Sequence, residues 1–167
     1  MHTFEPPDTH YLSSAIGWLE LGNPTEARAE LAQITPRLQT HPAVLELRWL
    51  ICAKEAQWEE GLALAESLIA AAPDEPTGWL HRAYALRRVP NGTLQQAWDA
   101  LRPAADKFPK EAIIAFNLAC YACQMQQMDT ALEWVKRAMD KDEKDQIKKM
   151  ALEDPDLQPL AGQIRKL

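Results

Sequence analysis

Four small residues, Ala27, Gly61, Ala97 and Ala131, recur along the chain at separations of 34, 36 and 34 positions. A second set, Ala15, Ala83 and Ala119, keeps the same phase, with Trp49 standing at its place in the second copy. A period of about 34 residues is the length of a helix–turn–helix unit that buries its apolar face only by stacking on copies of itself. Small residues are needed where the two helices of such a unit cross with their backbones close together. The spacing therefore predicts an all-α chain, an α-solenoid of antiparallel helix pairs.

Composition agrees. The chain has 167 residues, enough for a sizeable core, and 47% of them are hydrophobic, with few glycines. Runs of Val, Ile and Thr alternating with polar residues are missing, which leaves little from which to build a sheet.

Helical periodicity is interrupted by Pro, Gly and Asn where turns are required. The first unit, residues 9–41, carries Tyr11, Ala15, Trp18 and Leu19 before Gly22-Asn23-Pro24. A second helix is expected to start at Thr25 as N-cap and to run through Ala27, Leu31, Ile34 and Leu38, with a kink at Pro36. Residues 42–75 repeat the pattern with Leu45, Trp49 and Cys52, then Trp58, Gly61, Ala65 and Leu68. Residues 76–110 follow with Trp79 and Ala83, then Ala97, Leu101 and Ala104; a turn from Arg87 to Thr93, two residues longer than the period, explains the single spacing of 36. Residues 111–142 close the series with Phe116, Leu118, Ala119 and Ala122, then Ala131, Val135 and Ala138.

These residues resemble the tetratricopeptide repeat family over most of the chain, a resemblance that implies a right-handed α-solenoid. The stretches that carry the resemblance are Trp58 to Pro73 with Gly61 and Ala65, Trp79 with Ala83, Ala97, Leu101 and Pro109, and Asn117-Leu118-Ala119 with Ala131, Val135 and Ala138. Trp49 departs from the pattern. An extra indole overpacks a core by about 1–3 kcal/mol. Two readings follow: the indole lies over Gly61 in a local exchange of volume, or its helix is shifted in register by Pro42.

The tail beyond repeat four begins with the charge cluster Asp142-Glu143-Lys144-Asp145. A helix bearing Ile147, Met150, Ala151 and Leu152 follows, then a break at Asp154-Pro155 and a short helix with Leu157, Leu160 and Ile164. Residues 143–167 are expected to cap the last repeat, since an uncapped solenoid leaves core residues in water. The alternative is a tail folded back into the binding groove. The whole chain, 1–167, is expected to be one domain.

By the resemblance, function lies on the concave surface made by the first helix of each pair. The positions it implies are Leu12, Ile16 and Leu19; Glu46, Leu50 and Lys54; Leu80, Tyr84, Arg87 and Arg88; and Ile113, Phe116, Cys120 and Cys123. This set is apolar for a surface, and contiguous exposed apolar side chains mark interaction sites. The expectation is a groove for an apolar or amphipathic protein segment, with Tyr84 and Phe116 as anchors and Arg87 and Arg88 as a basic rim. The competing reading is that neighbouring helices bury these residues. Asn117 is the only Asn at its repeat position, where Ser13, Leu47 and His81 stand in the other copies, so the family's carboxylate clamp is not expected. Asn117 is expected to bond its own helix or to make one backbone contact to a ligand.

Chemistry elsewhere is thin. Cys120 and Cys123 form a CxxC, but no second Cys or His pair accompanies it for zinc, and it does not open a helix after a strand as a redox pair would. The histidines His2, His10, His41 and His81 form no triad spacing with Ser, Asp or Glu, and no glycine-rich phosphate loop is present. No catalytic residue, metal or cofactor is expected. The six tryptophans are expected to be buried or partly buried, most of them at interior or inter-repeat positions.

A net charge of -6 disfavours nucleic-acid and anionic-membrane partners. The first ten residues show no secretory signal pattern, no apolar run reaches the roughly 20 residues that span a bilayer, and three cysteines suit a reducing cytoplasm. The expectation is a non-catalytic cytoplasmic adaptor that binds a protein or peptide segment. Two alternatives are a chaperone of the class II type III secretion kind and a self-assembling structural subunit, and a homodimer is left open.

Overall fold

The computed structural model describes residues 3–141 and 144–167. His2, and Asp142 and Glu143 of the charge cluster, lie outside the described residues. The described chain is helical, with no strand among its elements. It divides into two compact units, Met1–Ala85 and Leu86–Leu167, with the boundary inside the third repeat.

The first unit holds α1 (Asp8–Glu20), α2 (Pro24–Gln33), α3 (Pro42–Lys54), α4 (Trp58–Ala71) and all but the last residue of α5 (Thr77–Leu86). α1 packs on α2, α3 on α4, and α2 on α3. Ala15, Ala27 and Ala83 are fully buried and Gly61 is buried, as close helix crossings require. Around Ala15 and Ala27 the core is built from Leu19, Leu31, Ile34, Leu38, Val44, Leu47 and Ile51.

Two details correct the sequence reading of α2. Its N-cap is Asn23, whose side chain accepts from the Glu26 amide at 3.2 Å, with Pro24 in the first helical position where a missing N–H costs nothing. Pro36 does not kink the helix. α2 ends at Gln33, Ile34 turns to extended backbone, and Pro36 opens a 3₁₀ turn (Pro36–Leu38) that still buries Leu38. Asp8, buried in the first turn of α1, fastens this corner: its carboxylate accepts from the Thr35 amide at 2.7 Å and the Thr35 hydroxyl at 2.8 Å.

The second unit holds α6 (Leu94–Lys107), α7 (Ala112–Gln124), α8 (Met128–Met139), α9 (Lys144–Glu153), a 3₁₀ segment (Pro155–Leu160) and α10 (Ala161–Ile164). The lengthened turn ends in a capping box, in which the Thr93 hydroxyl accepts from the Gln96 amide and the Gln96 side chain accepts from the Thr93 amide. α7 packs on α6 and α8, and α9 packs on α8. The 3₁₀ segment returns to lie against α7.

Three of the turns inside the pairs share one device. After α1, α3 and α7 a single residue takes left-handed backbone: Gly22 at φ 79, Ala56 at φ 55 and Gln126 at φ 63. The next residue then donates its amide back to the last turn, Asn23 to the Trp18 carbonyl, Gln57 to Cys52 and Gln127 to Ala122, at 2.8, 2.9 and 2.9 Å. This six-to-one bond satisfies a helix-end carbonyl and sets the reversal of these three pairs. The three residues occupy one repeat position, yet only the first copy carries the glycine that favours it.

Candidate functional site

In the first unit α1 and α3 present their outer faces side by side, and between them runs an apolar groove. Ile16, Leu19, Leu47, Leu50 and Ala53 line a cavity of about 500 Å³ with Glu20 and Lys54 at its end. A second recess of about 190 Å³ continues it past Leu12, Ala43 and Glu46, sharing Ile16, Leu47 and Leu50. Ile16 and Leu50 are 43% and 38% exposed, which is high for aliphatic side chains that face one another across a cleft. The Lys54 ammonium donates to the Leu19 carbonyl at 2.8 Å, so the end of the groove is pinned to the end of α1.

The helices present these side chains because of their phase. Leu12, Ile16 and Glu20 stand one turn apart on α1, as do Glu46, Leu50 and Lys54 on α3, while Ala15 on α1 and Trp49 on α3 turn inward. Leu47 and Ala53 also line the groove but were not among the predicted contacts. Their spacing from Leu50, three residues to either side, is the signal that could have found them.

Behind the groove, Trp49 is buried and lies over Gly61: a Cβ on that glycine would stand 3.6 Å from the indole nitrogen. This supports the first reading of the exceptional tryptophan. The contact is an ordinary van der Waals one, so the site has room for a methyl group. The close approach in this unit is at Gly78, where a Cβ would meet the Ile69 amide nitrogen and Cγ1 at 2.9 Å.

Trp49 also stacks on His81, with Tyr84 edge-on to it and Trp58 tilted against Tyr84. Burial pushes His81 down to about 4. Tyr84, read as an anchor, is 37% exposed and has its ring packed against both tryptophans. Leu80 is half-buried on α5. Of the other tryptophans, Trp18 is exposed on α1 rather than interior, and Trp134 is buried with Trp98 edge-on to it.

The remaining predicted contacts belong to the second unit, and not all of them are exposed there. Phe116 and Cys120 are 7% and 4% exposed on a helix enclosed by α6, α8 and the returning 3₁₀ segment. What the pattern of α7 offered as water-facing is interior, so neither side chain presents a surface to a ligand. Ile113 is exposed, and Arg88 is half-buried. Asn117 donates to the Ile113 carbonyl at 2.9 Å, the back-bond to its own helix. Arg87 pairs with Asp156 at 3.1 Å and lies over the Tyr121 ring, so this rim cation holds the chain's own tail. Gln124 adds a bond of 3.2 Å to the Asp156 carbonyl.

The Cys120 thiol and the carboxylates of Asp154 and Asp156 come within 4.8 Å of one another, a donor set the sequence spacing did not bring together. Both carboxylates have structural partners: Asp154 accepts from the Asp156 amide at 2.8 Å, capping the 3₁₀ segment, and Asp156 pairs with Arg87. Burial pushes the Cys120 thiol far up, and the two carboxylates add to the shift; Cys123 is raised by burial and by Asp156, and Cys52 by burial. Protonated, enclosed thiols of this kind are packing groups.

No family model and no curated protein matches the chain. Solved structures do. It is similar to TTC0263, a thermophilic tetratricopeptide-repeat protein of Thermus thermophilus, at 16% identity and a TM-score of 0.71 over 96% of this chain and all of that one. It is also similar to the MamA RS-1 ArsTM double mutant, at 17% identity and 0.67 over 90% of this chain and 80% of that one. A MamA MSR-1 structure aligns at 19% and 0.63 over 81% and 76%. The chain therefore has the tetratricopeptide-repeat fold, an all-α solenoid of helix pairs. No helix among the described residues is long and apolar enough to cross a membrane.

Proposed function

We propose that this protein is a non-catalytic interaction module whose first unit binds an apolar or amphipathic segment of another protein in the groove between α1 and α3. The observation that carries the reading is the exposure of Ile16 and Leu50 across a cavity of about 500 Å³ with apolar walls. Free aliphatic surface facing inward on a cleft loses water on binding, and each fully covered Leu or Ile side chain contributes roughly 1.5–3 kcal/mol. The fold is one widely used to hold protein segments, and the buried, protonated thiols suit the cytoplasm as its setting. A secretion-chaperone role is a narrower form of the same reading; a self-assembling subunit, with a second copy of the chain in the groove, is the alternative to it.

The test is capture by wild type and by Ile16→Glu and Leu50→Glu from cells that make the protein. Both side chains are exposed, so the variants keep their helicity and thermal midpoint. Loss of the captured proteins with the fold intact supports the groove; equal capture by all three proteins contradicts it.

A further inference from the structure

The second unit shows how a face of this kind is covered. Taking the residues that follow Ala15, Trp49 and Ala119, the repeat register aligns Ile16, Leu50 and Cys120; one turn further it aligns Leu19, Ala53 and Cys123, then Glu20, Lys54 and Gln124. On α7 that face is occupied by Pro155–Leu160, anchored by Gln124 and Arg87 at Asp156, with Leu157 and Leu160 wholly buried. On α1 and α3 the same register positions line the open groove.

The dimensions agree. From Leu12 to Glu20 a helix rises about 12 Å at 1.5 Å per residue. The six-residue 3₁₀ segment Pro155–Leu160, at about 2 Å per residue, is about 10 Å from first residue to last and fits within that length.

Charge separates a foreign segment from the chain's own. The groove carries Glu20 and Lys54 at one end and Glu46 at the other, so two carboxylates face one ammonium, and that ammonium already donates to the Leu19 carbonyl. The chain's own segment brings Asp154 and Asp156 beside its leucines, like charges for this groove, and it is seated on α7.

We infer that the groove takes a short, basic, amphipathic segment of a partner protein: one helical turn with two leucine-class side chains three residues apart, flanked by Lys or Arg for Glu46 and Glu20. This rests on the segment-binding reading above and specifies its partner.

Three labelled dodecapeptides test it by fluorescence anisotropy on the full chain: a Leu-Ala-Ala-Leu core flanked by lysines, the same core flanked by glutamates, and a peptide copying residues 153–164. The lysine peptide is expected to bind about tenfold more tightly than the glutamate peptide at low salt. Ile16→Glu and Leu50→Glu should weaken it about tenfold or more, and Glu46→Gln about threefold, with helicity unchanged in each.

If the glutamate peptide binds equally well and is displaced by the Ile16 and Leu50 substitutions, the basic partner is overturned while the groove stands. Tighter binding of the 153–164 peptide overturns it in favour of a second copy of this chain. If no peptide binds, or binding ignores Ile16 and Leu50, the inference falls, and the capture experiment decides separately whether the groove is used at all.

Discussion

The imidazole of His81 lies flat on the indole of Trp49, with ring centroids 3.6 Å apart and planes within 2°. The stack joins α3 to α5 behind the groove, and it explains how the one tryptophan in a series of alanines is accommodated: its large face is used by a ring from the next helix. The indole nitrogen of Trp49 and Nε2 of His81 are both buried without a hydrogen-bond partner. Burial, not the stacking itself, disfavours the charged imidazole here, since an imidazolium would be taken out of water with no partner for its charge.

The pH dependence follows. His81 is held down to about 4, below its ordinary value of 6.5. Above pH 6.5 the ring is neutral in folded and unfolded chains, and its contribution is constant. Between pH 6.5 and 4 the unfolded chain takes up a proton that the folded chain refuses, so stability falls as pH falls, by at most about 1.4 kcal/mol per unit. Urea midpoints at pH 7.5 and 5 should differ less in His81→Phe than in wild type. An unchanged difference would place the acid sensitivity elsewhere.

Two glycines should respond in opposite ways to alanine. Gly61→Ala places a methyl at ordinary contact distance from Trp49 and removes a glycine from the first turn of α4, so it should stabilise by about 0.5–1 kcal/mol. Gly78→Ala drives a Cβ to 2.9 Å from the Ile69 backbone and should destabilise by about 1–3 kcal/mol. Thermal melts of both variants check this. If Gly61→Ala proves the more damaging, the indole contact is tighter than described.

The left-handed turn positions supply a third case. Ala56 and Gln126 hold a conformation that disfavours a Cβ, and Gly22 shows which residue relieves it. Ala56→Gly and Gln126→Gly should each stabilise by about 0.5–1 kcal/mol in chemical denaturation, despite the usual entropic cost of glycine.

The period of small residues was enough to place the helix pairs, because helix crossings demand little volume wherever they recur. The reversals after α3 and α7 were less visible, since Ala56 and Gln126 carry no turn signal, whereas Gly22 does after α1. The groove was half legible. Leu12, Ile16 and Leu50 line it as their phase implied, but Phe116 and Cys120, read by the same rule, are enclosed. The difference is tertiary: Pro155–Leu160 returns to α7 through Arg87 and Gln124, a pairing that no local pattern in α7 announces. Asp8 and Gly78 went unnoticed for the same reason, as each is defined by a partner 27 and 9 positions away in the chain.

The central claim is that the groove between α1 and α3 is where this protein meets its partner. The most direct test places a photo-crosslinking side chain at Leu50, and at Gln95 on α6 as control, in full-length protein within its own cells. We predict that adducts form at position 50, are lost when Ile16→Glu is added, and are absent at position 95. Adducts of equal yield at both positions, or adducts at position 50 that survive Ile16→Glu, would contradict it.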